Sequence, residues 1–389
     1  MNLPRSSRDV TVLIDGDVLR RYKGGIRRTA AELQGSLLRA RPTWHVLTVP
    51  KNARVDRAAR SWHSPFGPGL WRRVYMAAEL AAAYTLWPQV VVPLIALIRR
   101  ADVIICPNYV FPVLRSKRCI VVVHDLSSVT EAARNRRSAR SFAALMESAY
   151  FWLVRWSTTL ALARAGAVVV PSRKVQRDIL LNMKVGSAPI FVVPWGVGAE
   201  WGDAGPATEV GAEGVRQQYV LCVNPHSAAL LGKIAAALYT DPSGGSGCQI
   251  GVTLKVVGQL HDPESLPPMV EYLGVVSDSE LGHLYRRALA VVIPATNSGF
   301  GLPLLEALAS GCPCIVRTGT AEAEVASGHG VYEVDGEVGS WAMAIGRLAA
   351  SPVERFHASR EGQSWARQFT WDRVGGVLAS VIETITSVR

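Results

Sequence analysis

Short apolar runs of strand type, separated by longer stretches of helical type, constrain the fold of this chain more than any other feature. In the first half, runs such as VTVLID at 10–15, DVIIC at 102–106 and CIVVVHD at 119–125 alternate with helical segments at 27–38 and 141–164. Continuous β-branched runs are typical of strands buried on both faces of a parallel sheet. The first half is therefore predicted to fold as a doubly wound α/β domain. Its further strands are predicted at 45–49, 167–171 and 190–194.

A second series of the same kind begins with YVLCV at 219–223. It continues with predicted strands at 254–258, 270–276, 290–294 and 313–316. The stretch before it is rich in Gly, Ala and Glu and poor in apolar residues, as expected of a linker. With 389 residues, the chain is long enough to form two cores. We predict a first domain at 1–198, a linker at 199–216, a second domain at 217–370 and a final helix at 371–389 that is able to pack back on the first domain.

The stretch VVIPATNSGFGLPLLEALASG at 291–311 combines a strand, a polar loop with glycines and a helix. The strand ends at Pro294, Pro303 marks the start of the helix, and Gly311 ends it. Backbone N–H groups at a helix N-terminus form a site for phosphate. Glu306, near the first turn, is placed to accept hydrogen bonds from vicinal ribose hydroxyls. A glycine-rich turn alone is also an ordinary feature of α/β proteins.

The net charge of +11 is carried by the first half of the chain. Residues 1–200 hold 30 Lys and Arg against 12 Asp and Glu, whereas the remainder holds 12 against 19. A basic half is suited to an anionic membrane surface, a phosphorylated substrate or nucleic acid, and an ordinary solvated surface is an equal alternative. We expect no nucleic-acid partner, because the clusters lack interleaved aromatic residues and a recognisable binding motif. The basic clusters lie at 20–28, 72–73 and 134–140.

The segment MAAELAAAYTLWPQVVVPLIALI at 76–98 has the length of a membrane span. Glu79, Pro88 and Pro93 argue against that function, because a carboxylate is costly in a bilayer and prolines interrupt a helix. We predict domain helices that are able to touch a membrane surface. The first apolar run, at 10–14, is predicted to be a strand rather than part of a signal peptide.

The six cysteines show no zinc-binding spacing. They are predicted to be buried free thiols in a reducing compartment. We therefore expect a cytoplasmic protein, with a peripheral position at the inner face of the cell membrane as an open alternative. The cysteines are Cys106, Cys119, Cys222, Cys248, Cys312 and Cys314.

Motifs of the second half follow one another in an order that is typical of one enzyme family. The loop GFGLP at 299–303 is followed by Glu306 and by a helix that closes on Gly-x-Pro at 311–313. Upstream lies a Gly-x-Val-Ser-Asp segment at 274–278, and downstream lies Glu-Val at 324–325. These residues resemble those of glycosyltransferase family 4, the retaining group 1 enzymes that have a GT-B fold and use nucleotide-sugars.

The first half resembles the same family less specifically, through GGIRRT at 24–29, His-Asp-Leu at 124–126, VVPSRKVQRDI at 169–179 and VVPWGV at 192–197. The resemblance implies an α/β protein of GT-B type, with two doubly wound, Rossmann-like parallel-sheet domains facing across a cleft. It implies that the C-terminal domain binds the nucleotide-sugar and that the N-terminal domain binds the acceptor.

The resemblance also implies roles for particular residues. Glu306 would bind the ribose hydroxyls, and backbone N–H groups of the loop would hold phosphate or sugar oxygens. His124 would face the donor sugar from the other domain, and Gly25 would allow close approach of a substrate, although an ordinary tight turn is an open alternative for Gly25. The substrate-binding residues are thus predicted to be Gly25, Val276, Gly299, Phe300, Gly301, Leu302 and Glu306.

The implied reaction transfers a hexose-type sugar from a nucleotide-sugar to a glycan or lipid-linked acceptor, with retention, in surface polysaccharide or glycolipid biosynthesis. The family needs no bound metal, and its leaving phosphate helps to take the acceptor proton on the same face. We therefore expect no metal site and no cofactor, the nucleotide-sugar being a substrate. The acidic pair at 15 and 17 is expected to be structural.

The sequence departs from the family pattern at two places. Ser298 stands where the family has the first glutamate of a pair, eight positions before Glu306. After the strand at 219–223 the family has an Arg or Lys and a further Lys, whereas here Lys233 is the nearest fixed cation and His226 is mostly neutral at pH 7. The predicted catalytic residues are accordingly His124, Ser298 and Lys233.

These departures leave a second class of function open. The chain could be a catalytically weakened family member that acts as a binding partner or regulatory subunit of another transferase. A nucleotide-sugar epimerase or dehydrogenase is set aside, because no G-x-G-x-x-G motif follows the first strand.

Overall fold

The computed structural model describes residues 9–21, 24–50, 82–127, 142–202, 219–225, 228–238, 252–260, 266–267 and 270–387. The chain forms two compact units, one of residues 1–195 together with 371–389 and one of residues 196–370. The last helix therefore belongs to the same unit as the first half of the chain.

The two units are built from alternating strands and helices. In chain order the elements are β1 (Thr11–Asp15), α1 (Asp17–Arg21), α2 (Gly24–Ala40), β2 (His45–Val49), a π-helical segment (Ala82–Val91), α3 (Val92–Ile98), β3 (Val103–Cys106), a 3-10 segment (Val113–Arg118), β4 (Cys119–Val122), α4 (Phe142–Arg164), β5 (Ala167–Val170), α5 (Arg173–Asn182), β6 (Ile190–Val192), a 3-10 turn (Ala199–Trp201), β7 (Tyr219–Val223), α6 (Ala228–Leu238), β8 (Thr253–Val257), β9 (Val270–Gly274), α7 (Asp278–Arg287), β10 (Ala290–Ile293), α8 (Leu302–Ala309), β11 (Cys314–Arg317), α9 (Ala321–Ala326), β12 (Val331–Val334), α10 (Val338–Ala350), α11 (Pro352–Ala366) and α12 (Trp371–Ser387).

The sheet of the first unit has the strand order β2-β1-β3-β4-β5-β6, and its neighbouring strands are parallel. Every residue of β3, β4 and β5 is buried, which is the pattern of strands covered on both faces. The order reverses between β1 and β3. In an open parallel sheet, ligands bind beyond the carboxyl ends of the strands at such a reversal.

Helix α12 packs along α2 within the first unit. A Cβ atom on Gly375 of α12 would overlap the carbonyl group of Ser36 in α2, so the glycine permits this close approach. Arg41 Nε also donates to Glu383 at 2.8 Å, and Arg39 pairs with Asp372. The two helices are therefore joined by backbone contact and by surface ion pairs.

The sheet of the second unit has the order β12-β11-β10-β7-β8-β9, again with parallel neighbours. Read from β9, this is the strand order of a dinucleotide-binding Rossmann fold, and the reversal falls between β7 and β10. The loops after β7 and β10 therefore flank the place where such a sheet binds its ligand. The glycine loop singled out in the sequence follows β10.

The predicted α/β architecture of two doubly wound sheets is confirmed. All eleven predicted strands are present, with ends within three residues of those expected. Strand β12 was not predicted, because VYEV at 331–334 is an edge strand whose residues are mostly half-buried or exposed rather than a continuous apolar run. The helix α2 begins at Gly24, three residues before its predicted start.

The apolar segment predicted at 76–98 is described from residue 82 onward. It forms a π-helical segment that contains Pro88 and continues into α3. No helix in the described ranges is long and apolar enough to cross a membrane. Residues 76–81, the linker residues 203–216 and the basic clusters at 72–73 and 134–140 lie outside the described residues.

Five cysteines are described, and all five are buried free thiols, as predicted. Burial raises the pKa of Cys222 to about 12, so this thiol stays protonated. Cys248 lies outside the described residues.

Candidate functional site

The loop between β10 and α8 lies at the reversal of strand order in the second unit. Helix α8 begins at Leu302, one residue earlier than Pro303, which occupies the first turn. Gly301 caps the helix in the left-handed region, with φ of 91°, and its carbonyl accepts from Leu304 N at 3.0 Å. The loop thus turns sharply into α8, which is the next element of the chain after β10.

Position 301 requires a glycine, both because of its backbone conformation and because the side chain of Glu322 lies beside it. A Cβ atom there would stand 2.6 Å from Cγ of Glu322, the second residue of α9. Left-handed φ values also disfavour any residue with a side chain. Glu322 therefore occupies the space that the glycine leaves open.

Ser298 lies at the start of the same loop and is half-buried. Its hydroxyl donates a hydrogen bond to Oε1 of Glu322. A charged acceptor makes this bond stronger than a neutral one. In this chain, the residue at the position where the family has a glutamate is a serine, and this serine contacts the carboxylate of Glu322.

The apolar side chains of the loop point into the protein. Phe300 is buried and makes an edge-to-face contact with Phe369, with ring centroids 6.3 Å apart. Leu302 and Gly299 are buried as well. Because the side chains of Phe300 and Leu302 pack inward, the backbone groups of the loop and the Ser298 hydroxyl remain for a ligand.

Glu306 lies in the second turn of α8 and is 3% exposed. Its Oε2 accepts a hydrogen bond from the hydroxyl of Tyr285 in α7, at 3.2 Å. Tyr285 in turn makes an edge contact with Trp201, with centroids 5.6 Å apart. The hydroxyl of a buried tyrosine therefore orients the carboxylate of Glu306. Glu306 itself lies one turn further into α8 than the sequence predicted.

Val276 lies after β9, at the carboxyl edge of the same sheet, and is half-buried. The following residue, Ser277, caps α7 in a capping box with Glu280. This cap fixes the start of the helix that carries Tyr285.

Lys233 lies on the exposed side of α6, and its Nζ is 3.8 Å from Oε1 of Glu337. This ion pair connects Lys233 with the N-terminal end of α10 rather than with the glycine loop. His226 lies outside the described residues.

His124 belongs to the first unit and follows β4 at the carboxyl edge of its sheet. It is buried, its Nε2 is 3.0 Å from the carbonyl oxygen of Pro107, and its ring lies 5.8 Å from that of Trp195. Burial lowers the pKa of His124, although the Pro107 hydrogen bond and the charge of Asp125 oppose this. A neutral ring that donates from Nε2 keeps Nδ1 as an acceptor.

Gly25 is exposed and lies in the first turn of α2, next to Gly24 with φ of 64°.

The acidic residues Asp15 and Asp17 are buried and make their contacts within the first unit. Oδ1 of Asp15 accepts from the indole N–H of Trp87 at 2.8 Å and from Asp17 N at 3.1 Å. Within the described residues, no three His, Cys, Asp or Glu side chains converge as metal ligands.

The structure thus brings together Ser298, the loop 299–302 and Glu306 in the second unit, whereas His124 and Gly25 lie in the first. Sequence reasoning assigned no role to Tyr285 or Glu322. A signal for Glu322 was available, because β10 and β11 are neighbours and the loops after their carboxyl ends must lie side by side.

Two family models match the chain over most of its length. Residues 23–201 match Glycosyltransferase Family 4, and residues 252–365 match Glycosyl transferases group 1. Together they identify the chain as a group 1, family 4 glycosyltransferase-like protein, as the motifs predicted.

Several curated proteins are similar to parts of the chain. The O-antigen chain mannosyltransferase B of Escherichia coli is 32% identical over 30% of this chain and 31% of that protein. A D-inositol 3-phosphate glycosyltransferase of Actinosynnema mirum is 27% identical over 53% of this chain and 54% of that protein. The chain therefore spans between about a third and about half of the length of these curated relatives. Both are named as transferases, which does not favour the alternative of a binding subunit.

Solved structures confirm the GT-B fold. Sucrose-phosphate synthase from Thermosynechococcus elongatus superposes with a TM-score of 0.67 at 17% identity, covering 98% of this chain and all of that one. Anabaena Alr3699/HepE in complex with UDP and glucose gives a TM-score of 0.60 at 15% identity, covering 97% of this chain and 100% of that one.

Proposed function

We propose that this protein transfers a sugar, of hexose type, from a nucleotide-sugar to an acceptor, with retention of anomeric configuration. The observation that carries the proposal is the loop 298–302, which runs into α8 and its buried Glu306 at the reversal of strand order in the second unit. The family models and the nucleotide-bound structural neighbour support the same class of donor.

The donor nucleotide is proposed to bind the second unit. The carboxylate of Glu306 would accept hydrogen bonds from the two vicinal ribose hydroxyls, and Tyr285 would keep it in the required orientation. Backbone N–H groups from Gly299 to Leu302 would hold the phosphate or sugar oxygens at the N-terminus of α8. Val276, at the carboxyl edge of the same sheet, would line the donor.

Negative charge grows on the leaving diphosphate during transfer, and fixed donors stabilise it best. The helix N-terminus of α8 would supply part of that stabilisation. Lys233 would have to leave its exposed pair with Glu337 in order to add a cation, and surface pairs of that kind are weak enough for exchange. We propose a reaction that uses no bound metal and no cofactor, as the resemblance implies.

His124 is proposed to act on the donor sugar. A neutral imidazole whose Nε2 donates to Pro107 offers Nδ1 as an acceptor for a sugar hydroxyl. Gly25, at the exposed start of α2, would allow close approach of the acceptor or of the donor phosphate.

The acceptor is proposed to be a glycan or a lipid-linked molecule of surface polysaccharide or glycolipid biosynthesis. The Escherichia coli relative is named for the O-antigen chain, which supports such a product. We propose a cytoplasmic protein, and its strongly basic first half supports a position at an anionic membrane surface.

Substitution of Glu306 tests the donor site. Glu306→Ala is expected to weaken nucleotide-sugar binding by about tenfold or more, because a charged hydrogen-bond acceptor for two hydroxyls is lost. Isothermal titration calorimetry against a panel of UDP-, GDP-, ADP- and dTDP-sugars measures this affinity. Glu361→Ala is a matched control, since that carboxylate is exposed and pairs with His329. Unchanged affinity in a folded Glu306→Ala variant would contradict the ribose assignment.

A further inference from the structure

A carboxylate without an assigned role touches the glycine loop at two positions. Glu322 is 2% exposed, and it accepts the hydrogen bond from the Ser298 hydroxyl. Its Cγ fills the space beside Gly301, where a Cβ atom would stand only 2.6 Å away. The side chain of Glu322 therefore lies against both ends of the segment 298–301.

A buried carboxylate is not needed merely to accept a hydrogen bond from a serine hydroxyl. Burying a charged group costs free energy unless it is compensated, and a neutral Gln would accept the same hydrogen bond from Ser298. Glu306 is a second buried carboxylate of the same unit, and it lies on the helix that follows the same loop. Buried ionisable groups gathered at the ligand-binding edge of a sheet are typical of functional sites.

We propose that Glu322 supplies the carboxylate of the donor-sugar site, in the place that the family resemblance gives to a glutamate at position 298. The inference rests on the proposed glycosyltransferase function. Its basis is the contact between Ser298 and Glu322, which joins the family position to a carboxylate at the start of α9, the helix that follows β11.

The two side chains act as one polar unit. The Ser298 hydroxyl donates a hydrogen bond to Glu322, so the lone pairs of the serine oxygen remain able to accept from a sugar hydroxyl. In the bound complex, the second oxygen of the carboxylate would accept from a neighbouring hydroxyl of the sugar. The negative charge also stabilises the positive charge that develops at the anomeric carbon in the transition state. No covalent bond to Glu322 is formed.

The decisive variant is Glu322→Gln, which keeps the shape and the acceptor for Ser298 and removes the charge. We expect its sugar transfer or nucleotide-sugar hydrolysis to fall about 100-fold in kcat. Its affinity for the free nucleotide, measured by calorimetry, is expected to stay within about twofold of wild type, because the nucleotide is held elsewhere on the loop and by Glu306. Thermal melting verifies that the variant is folded.

An exchange variant tests whether the charge or the position matters. In Ser298→Glu with Glu322→Ser, the carboxylate and the hydroxyl change places while the hydrogen bond between them is kept. We expect this double variant to recover at least about tenfold of the rate lost in Glu322→Gln. Glu361→Gln is the matched control for removing a carboxylate of this unit, and it is expected to leave the rate unchanged.

Three results would overturn the inference. The first is wild-type turnover in Glu322→Gln. The second is an equal loss of nucleotide affinity and of turnover, which would make Glu322 a residue that merely positions the loop. The third is a folded exchange variant as slow as Glu322→Gln. Failure of the proposed function itself is distinguishable, because wild-type protein would then bind no nucleotide of the panel, and the inference would fall with it.

Discussion

The four acidic side chains that are buried in the described residues differ in what stabilises them. Asp17 pairs with Arg21, and Asp15 accepts from the Trp87 indole. Glu306 accepts from a tyrosine hydroxyl and Glu322 from a serine hydroxyl. The acidic pair of the first unit thus contacts its own unit, as expected of structural residues, whereas the pair of the second unit flanks the proposed donor loop.

Asp15 is predicted to reduce stability at neutral pH. Burial raises its pKa from 3.8 to about 6, although hydrogen bonds from Trp87 and Asp17 N oppose the shift. The folded state therefore holds this proton more tightly than the unfolded state. The stabilisation is fully present below about pH 3.8 and is lost as the pH rises through about 6. Ionised Asp15 then costs at most about 3 kcal/mol at pH 8.

Asp15→Asn is expected to raise the free energy of unfolding by about 1–3 kcal/mol at pH 8, because the amide oxygen keeps both hydrogen bonds and carries no charge. The gain is expected to vanish near pH 4. Urea unfolding at the two pH values measures it. Asp178→Asn, at a carboxylate paired with Lys174 on α5, is the control. A gain of equal size at both pH values would contradict the assignment to ionisation.

The residues of the proposed donor loop were predicted together because they follow one another along the chain. The loop 299–302 and Glu306 form one continuous motif. The partners Tyr285 and Glu322 are 21 residues before Glu306 and 24 residues after Ser298, and the fold alone brings them close. The tautomer of His124 likewise depends on a carbonyl 17 positions earlier in the chain.

At the scale of elements, the contact between α2 and α12 depends on one glycine. Gly375→Ala is expected to destabilise the first unit by about 2 kcal/mol or more, because the new methyl group meets the Ser36 carbonyl and the helices must separate. Thermal and urea unfolding measure the change. The neighbouring Gly376 has open space around it, so Gly376→Ala is expected to stabilise by about 0.5–1 kcal/mol through helix propensity alone. Equal effects of the two substitutions would contradict the packing argument.

Buried strands were the most predictable elements. Runs such as VIIC at 103–106 and AVVV at 167–170 are covered on both faces, so burial and sequence agree at every residue. The edge strand β12 lacks this signature, because only Val334 is fully buried. The predicted strands extend beyond the observed C-terminal ends of β4 and β9, because apolar residues continue from these strands into the loops that follow them.

At the scale of the molecule, the charge is divided between the halves, and the basic half also carries an exposed apolar stripe. The segment 82–98 exposes four apolar side chains at helical spacing, namely Leu86, Val90, Leu94 and Leu97. Two exposed arginines, Arg99 and Arg100, follow it directly. Apolar residues beside basic ones are typical of helices that lie on an anionic membrane surface.

We therefore expect the protein to sediment with vesicles of phosphatidylglycerol and phosphatidylcholine at about 50 mM salt and to be released at about 500 mM. Leu94→Ser with Leu97→Ser is expected to reduce the bound fraction. Met343→Ser, at an exposed apolar residue of the second unit, is the control. No bound fraction at low salt, or equal binding to pure phosphatidylcholine, would contradict a surface of this kind.

The inward packing of Phe300 and Leu302 limits what the glycine loop can distinguish. Apart from the Ser298 hydroxyl, the loop offers a ligand only its backbone amides, and these recognise a charge and a distance rather than a particular sugar or base. The glycine loop, by which the family is most readily recognised, therefore gives little information about which sugar or base is bound. Two proteins with the same loop can use different donors, and the residues that separate them must lie on neighbouring segments, such as the one that carries Glu322.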